Sequence, residues 1–289
     1  MDRRVANDPT PGLCELCLVA AQDDRRMCYS ERMSDHAADQ LVRMDRDGAV
    51  VTVTMNRPDA RNALSPALID ALGAAIDEIE DDPSLRAMIL AGEGPCFCAG
   101  MDLKGVLEDA EAMSGMLHGL SRVMRRIRRL TIPTIARVQK AAVGGGCGLM
   151  VVTDFAITHP DSKVGYPEVS LGVCPAVVAP WLIRKVGPGR ARTMLLEGGT
   201  VSGEEGHRIG LATHLVEADR LDEQARELAE NLTKGGPIAT AATKRWLNEL
   251  DGSLEDAPFE TAAAISARVI SGDEAQQRLQ RIFGTKAGS

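Results

Sequence analysis

Between Ala49 and Asn56 apolar and polar positions alternate, Val51, Val53 and Met55 being separated by Thr52 and Thr54. That period of two predicts a half-buried β-strand. An Arg57-Pro58-Asp59 turn ends it and the period changes: Ile69, Leu72, Ile76 and Ile79 recur three or four residues apart, the spacing that lines up one face of a helix. Ser65 in front of Pro66 supplies an N-cap hydroxyl and a first helical residue with preset φ, and Asp81-Asp82-Pro83 stops the run, so a helix is predicted between these two signals. Further strands are predicted over Arg86–Leu90, Thr134–Val138 and Phe155–Thr158, with helical or glycine-rich segments between them. Strands alternating with helices define an α/β domain. Beyond Pro175 helical windows take over, at Ala176–Val186, Arg190–Leu196, Leu221–Leu232, Ile238–Leu250 and Ala257–Ile270. Ser202-x-x-Glu205 is a capping box that opens one more short helix. The C-terminal third is expected to be a mostly helical layer.

Residues 1–43 follow neither period; they carry Pro9, Pro11, paired acids and paired arginines and read as a poorly ordered N-terminal extension. Met27, Met33 and Met44 each offer an alternative start, and the folded part is expected to begin near Leu41. The remainder divides into a core over 44–200 and a C-terminal helical region over 201–289. A chain of 289 residues with 44% apolar content can bury a full-sized core. Its net charge of −8 argues against a nucleic-acid partner. No run of 18 apolar residues is present, so no membrane partner is expected. Seven cysteines, an odd number without a secretory h-region, point to reduced thiols in a cytoplasmic protein. Cys14-x-x-Cys17 with Cys28 and His36 fits no standard zinc spacing, and the remaining histidines, His118, His159, His207 and His214, sit in none either, so no metal is expected. Arg125, Arg126, Arg128 and Arg129 read as a solvated helix face.

Two glycine segments carry the candidate chemistry. The first, Cys96-Phe97-Cys98-Ala99-Gly100-Met101-Asp102-Leu103-Lys104, follows the second predicted strand, and its small residues let backbone approach a ligand. The second, Ala141-Ala142-Val143-Gly144-Gly145-Gly146-Cys147-Gly148-Leu149, opens an apolar run that reads as helix. Such a helix start presents unpaired N–H groups and the positive end of the helix dipole to an anion or a developing negative charge. Leu149 stands where a dinucleotide fingerprint needs its third glycine, and no Gly-Lys-Ser/Thr is present for a phosphate loop. The same Leu149 breaks a nucleophile elbow centred on Cys147, which reads as a small buried residue. Taken alone, the segment is equally consistent with close helix-on-strand packing.

Asn56-Arg57-Pro58 with Asn62-Ala63-Leu64, then Phe97 to Leu103, then the triple glycine, then Pro167-Glu168-Val169-x-Leu171-Gly172 occur in an order and spacing that resembles the crotonase (enoyl-CoA hydratase/isomerase) family, over about residues 45 to 270. The resemblance implies a crotonase-type ββα spiral with a C-terminal helical layer, assembled as a homotrimer or dimer of trimers. It implies an acyl-CoA substrate and no separate cofactor, coenzyme A being part of the substrate. An oxyanion hole of two backbone N–H groups falls at Met101 and Gly145, flanked by the substrate-contacting positions Ala99, Gly100, Asp102, Gly144 and Gly148. Ala60, Arg61, Ala63 and Leu64 match the segment against which the adenine rests, and Arg61 and Lys104 are the candidate phosphate partners.

Family hydratases commonly use two glutamates; Glu168 matches the second, and Gly148 stands at the position of the first. A single carboxylate is the arrangement of enoyl-CoA isomerases and of single-glutamate hydratases of branched acyl-CoAs. The run Leu171 to Pro180 is similar to the methylglutaconyl-type hydratases. The implied activity is hydration of a 2-enoyl-CoA, with Δ3-Δ2 isomerisation as the alternative on the same enolate and a non-catalytic acyl-CoA-binding or scaffold role as the alternative of another class.

Overall fold

The computed structural model describes residues 40–106 and 109–283. Strands β1 (Val42–Asp47) and β2 (Val50–Met55) form an antiparallel hairpin with Val42 opposite Met55 and Asp47 opposite Val50. Gly48 makes the tight turn with φ 56. β2 carries the predicted alternation, whereas β1 lies where the sequence shows no period. It is an edge strand whose second half, Arg46 included, faces water, so charged residues interrupt its pattern. Most of the expected N-terminal extension, residues 1–39, lies outside the described residues; Val42 and Arg43 already belong to β1.

Helix α1 (Pro66–Asp81) follows as predicted, with the Ser65 hydroxyl accepting from the Leu68 N–H at 3.2 Å. It buries Leu68, Ile69, Leu72, Ile76 and Ile79, each contributing roughly 2 kcal/mol of transfer free energy, far more than helix propensity alone supplies. A Leu72→Asp substitution would place a charge in the middle of that face. Strands β3 (Ala87–Gly92) and β4 (Thr134–Arg137) continue the sheet in parallel, separated by helix α2 (Ala110–Arg129), which Asp109 caps. β5 (Ala141–Val143) leads into helix α3 (Gly145–Val152), all of whose residues are buried. β6 (Phe155–Thr158) returns to the main sheet and β7 (Lys163–Gly165) pairs with β5.

The C-terminal part is helical as expected, through α4 (Ala179–Val186), α5 (Pro188–Glu197), α6 (Gly203–Arg208), α7 (Leu221–Thr233), α8 (Pro237–Leu250), α9 (Ala257–Ile270) and α10 (Asp273–Phe283). Only the N-cap half of the predicted capping box forms at α6: the Ser202 hydroxyl accepts from the Glu205 N–H at 3.1 Å, while the Glu205 carboxylate accepts from Arg208 instead. Two short strands interrupt this part. β8 (Thr200–Ser202) joins a three-stranded sheet in the order β5-β7-β8, and β9 (His214–Leu215) completes a six-stranded sheet in the order β1-β2-β3-β4-β6-β9. One face of the larger sheet packs Ile89, Ile135 and Ile157 against Leu221, Ala225 and Ala229 of α7. The principal core lies among α1, α2, α3, α4 and α9.

The arginines of α2 are not a free solvated face. Arg126 pairs with Asp77 and Glu80 of α1, Arg128 with Asp251, and Arg125 and Arg129 with Asp256. Each pair is partly exposed and contributes no more than about 1 kcal/mol, but together they fix α2 between α1 and the α8–α9 connection. A more enclosed pair, Lys244 with Asp154 at 2.7 Å, ties α8 to the end of α3. Among the described residues no helix is long and apolar enough to cross a membrane.

Candidate active site

Three loops meet at the start of α3. After β2 the chain turns through Pro58–Ala60 and then places Arg61 and Asn62 at φ 52 and 54. Asn tolerates this left-handed conformation better than most residues, and Asn62 is fully buried with its amide in use. Its Oδ1 accepts from the Arg57 N–H at 2.8 Å, and its Nδ2 donates to the carbonyls of Glu93 (3.0 Å) and Cys96 (2.7 Å). The turn after β3 is thereby fastened to the turn after β2. The two segments then run together: the Ala99 N–H donates to Arg61 O, the Leu64 N–H to Gly100 O at 2.8 Å, and the Asp102 N–H to Leu64 O at 2.9 Å. Arg57 reinforces the join by donating to Ala63 O at 2.5 Å and pairing with Asp102 at 3.1 Å.

That bridge uses the Gly100 carbonyl and the Asp102 N–H, on either side of Met101, and turns the Met101 N–H away from Leu64. On the opposite side, Cys98 bridges Ala142, its N–H donating to Ala141 O and its carbonyl accepting from the Val143 N–H. This brings the first glycine segment against the second. Gly146 permits the approach, since a Cβ there would lie 2.6 Å from Cys98 O. Gly145 is the first residue of α3 and has no acceptor within the helix for its N–H. Among the described residues, neither the Met101 nor the Gly145 N–H donates to a protein acceptor. The two residues are close: a Cβ on Gly145 would stand 3.4 Å from Met101 Cγ and 3.1 Å from Leu64 Cδ1.

The Gly144 N–H donates to Gly165 O at 2.8 Å, which aligns β5 with β7 and delivers Tyr166-Pro167-Glu168 to the same place. Glu168 opens a short 3-10 turn, and its Oε1 lies 3.0 Å from the point where a Cβ on Gly144 would sit. The other oxygen, Oε2, is buried without a hydrogen-bond partner. Burial, only partly offset by a hydrogen bond from its own backbone N–H, pushes the Glu168 carboxyl from 4.5 up to about 7. Burial also pushes the Cys147 thiol up to about 12, in keeping with a structural cysteine. Behind Glu168 the Tyr166 hydroxyl is buried beside the Cys147 thiol, its ionisation driven well above the usual value, chiefly by burial.

The sequence-derived candidates thus separate into two groups. Ala63, Leu64, Ala99, Gly100, Met101, Asp102, Gly144, Gly145 and Glu168 converge on one place. Ala60 and Arg61 lie on the turn leading in, and Arg61 and Lys104 are exposed on the surface. Gly148 is one turn deeper in α3, where a side chain would require Met124 and Val178 to move, their Cε and Cγ1 lying 2.5 and 2.7 Å from its Cβ position. Arg57, Asn62, Tyr166, Met124 and Val178 were absent from the sequence-derived set of site residues. Arg57 and Asn62 stand inside the quoted motifs, but their partners are remote in sequence and cannot be read from spacing. Among the described residues no group of three metal-ligating side chains is found.

Residues 45–283 match the family model described as enoyl-CoA hydratase/isomerase. The enoyl-CoA hydratase EchA19 of Mycobacterium tuberculosis is 34% identical over 244 residues, covering 83% of this chain and 91% of that protein. The short-chain-enoyl-CoA hydratase of Clostridium acetobutylicum is 34% identical over 211 residues, with 72% and 80% covered. Among solved structures, an enoyl-CoA hydratase/isomerase from Xanthobacter autotrophicus Py2 superposes with a TM-score of 0.76 at 28% identity, covering 86% of this chain and 95% of that one.

Proposed function

The chain belongs to the enoyl-CoA hydratase/isomerase family, and from that premise we propose that it hydrates a 2-enoyl-CoA with Glu168 as its single proton carrier. The observation that carries this reading is the meeting of one desolvated carboxylate, its Oε2 without a partner, with two unused backbone N–H groups at a helix start. The thioester oxygen lies between the N–H groups of Met101 and Gly145. Charge accumulates on that oxygen as the enolate forms, so preset donors favour the transition state over the ground state, by about 3 kcal/mol for each donor. The start of α3 adds its dipole.

Glu168, as carboxylate, takes a proton from water while the water oxygen bonds to Cβ and the double-bond electrons move onto the thioester oxygen. The protonated Glu168 then returns the proton to Cα, the enolate collapses, and the net change is addition of one water across the double bond. A carboxyl that ionises near pH 7 populates both forms and so serves both steps. Arg61 and Lys104, exposed at the entry, meet the phosphates of coenzyme A. The reading requires no metal or redox cofactor.

A second reading, Δ3-Δ2 isomerisation, is favoured by the apolar Met124 and Val178 beside Gly148. There Glu168 removes the Cα proton of a 3-enoyl-CoA and returns it at Cγ, and no water is consumed. Assembly as a homotrimer or dimer of trimers belongs to the same proposal and is supported by the exposed Ile238, Trp246 and Leu250 of α8. A cytoplasmic setting is supported by the free thiols of Cys96, Cys98, Cys147 and Cys174. The test is turnover of purified protein on paired 2-enoyl- and 3-enoyl-CoAs, straight and branched, with products separated by mass. Water gain supports hydration and mass-neutral conversion of the 3-enoyl substrate supports isomerisation. Acyl-CoA binding without turnover of any substrate overturns both in favour of a scaffold.

A further inference from the structure

Gly148 donates its N–H to the Gly144 carbonyl at 2.9 Å, so the two residues stand one turn apart on α3. Glu168 covers the first of them, with Oε1 3.0 Å from the Cβ position of Gly144. Met124 and Val178 cover the second, at 2.5 and 2.7 Å from the Cβ position of Gly148. Real Cβ atoms essentially never show contacts that short, so Met124 and Val178 occupy this volume and must move before a side chain on Gly148 can enter it. Met124 comes from α2, four residues after Leu120, whose Cδ2 lies 3.0 Å from the Cβ position of Gly145. Residues four apart share a helix face; one stripe of α2 therefore runs along the glycine face of α3, with Leu120 beside the Gly145 donor and Met124 beside the next turn. Val178 reaches the same point from the residue preceding α4. Met124 and Val178 are 0% and 4% exposed. A buried water needs two or more polar partners, and a thioether and an isopropyl group provide no strong ones.

We infer that Met124 and Val178 are specificity-determining residues that fill the volume of a second acid–base group and so confine every proton transfer of the reaction to Glu168. The inference rests on the proposed enoyl-CoA chemistry. Its consequence is a site in which one ionisation governs turnover, and in which a carboxyl delivered into the plugged volume creates a second.

The experiment is the pH dependence of kcat/KM on an enoyl-CoA that the wild type converts, compared with Met124→Glu and with the uncharged isostere Met124→Gln. The wild type and Met124→Gln are expected to give one limb, and Met124→Glu a profile with a second ionisation. In the Glu168→Gln background, Met124→Glu is expected to restore turnover at least tenfold over Met124→Gln, a threshold below the roughly 10²–10⁴-fold that a positioned acid–base group contributes. If Met124→Glu does not fold, Gly148→Glu combined with Met124→Ala and Val178→Ala delivers the same carboxyl from α3. A wild-type profile with two ionisations overturns the inference while leaving the proposed function standing, as does a folded carboxyl variant with an unchanged profile and no rescue. A wild type that converts no enoyl-CoA overturns the proposed function and the inference together.

Discussion

Glu168 stands over Gly144, with Oε1 3.0 Å and Cδ 3.5 Å from the place a Cβ on the glycine would take. Gly144 also holds φ 55 and ψ −121, a conformation that strains any L side chain. Gly144→Ala therefore displaces the carboxylate as well as straining the backbone. Because a misplacement of about 1 Å can cost on the order of 10²-fold in rate, kcat is predicted to fall by about that factor. Steady-state kinetics on the folded variant would check this; a kcat within twofold of wild type would show that the contact does not position Glu168.

The pH dependence of stability follows from the same carboxylate. Its ionisation is raised from 4.5 to about 7 by burial. Between those values the folded protein keeps a proton that the unfolded chain has released, so stability declines as pH rises through this window. Above pH 7 the folded protein carries a buried, unpaired charge. Glu168→Gln removes it and is predicted to stabilise the protein by about 2 to 3 kcal/mol at pH 8 and by little at pH 4.5, measured by urea unfolding at the two pH values. Activity moves the other way, rising with pH as Glu168 ionises.

Asp102 supports the site from behind. Its carboxylate pairs with Arg57, whose guanidinium also holds Ala63 O, next to the Leu64–Met101 bridge. Asp102→Asn keeps the shape and loses the charge. Since the pair is partly exposed, the predicted stability loss is no more than about 1 kcal/mol, whereas kcat should fall by about tenfold through the loosened Met101 backbone. A KM change at constant kcat would instead assign Asp102 to substrate binding.

Lys244 and Asp154 make a prediction that concerns stability alone. Lys244 Nζ donates to Asp154 Oδ2 at 2.7 Å and to Ile132 O at 2.8 Å, and the same carboxylate oxygen accepts from Thr134. Removing one partner of an enclosed pair leaves the other charge uncompensated, so Asp154→Asn is predicted to cost about 3 kcal/mol. Adding Lys244→Met should recover part of that loss. Chemical denaturation of the two single variants and the double variant would measure the coupling.

Much of this architecture was legible in the sequence where a long period coincided with stop and start signals. Helix α1 shows it: Ser65-Pro66 and Asp82-Pro83 bracket an apolar stripe, and the observed bounds follow. β1 was hidden because an edge strand with a half-solvated face mixes Arg43, Asp45 and Arg46 into its pattern. β5, β7 and β8 have three residues each, too few to display a period. The convergence of Met101, Gly145 and Glu168 was expected from motif order, through resemblance to the family and not through local pattern. Spacing could not reveal that Met124 and Val178 close the space beside Gly148, since a glycine's neighbours in three dimensions are set by how α2 and α4 pack. Likewise the arginines of α2 read as solvated because their carboxylate partners lie on other elements.

The central claim, that Glu168 alone carries the proton while two backbone amides hold the enolate, is tested most directly by comparing wild type and Glu168→Gln for turnover and for acyl-CoA affinity under the same conditions. The account predicts a loss of kcat of at least about 10²-fold, the scale of a missing general acid–base group, with the dissociation constant for the acyl-CoA changed by less than about threefold. Turnover that survives the substitution would contradict it and place the proton-transferring group elsewhere in the site.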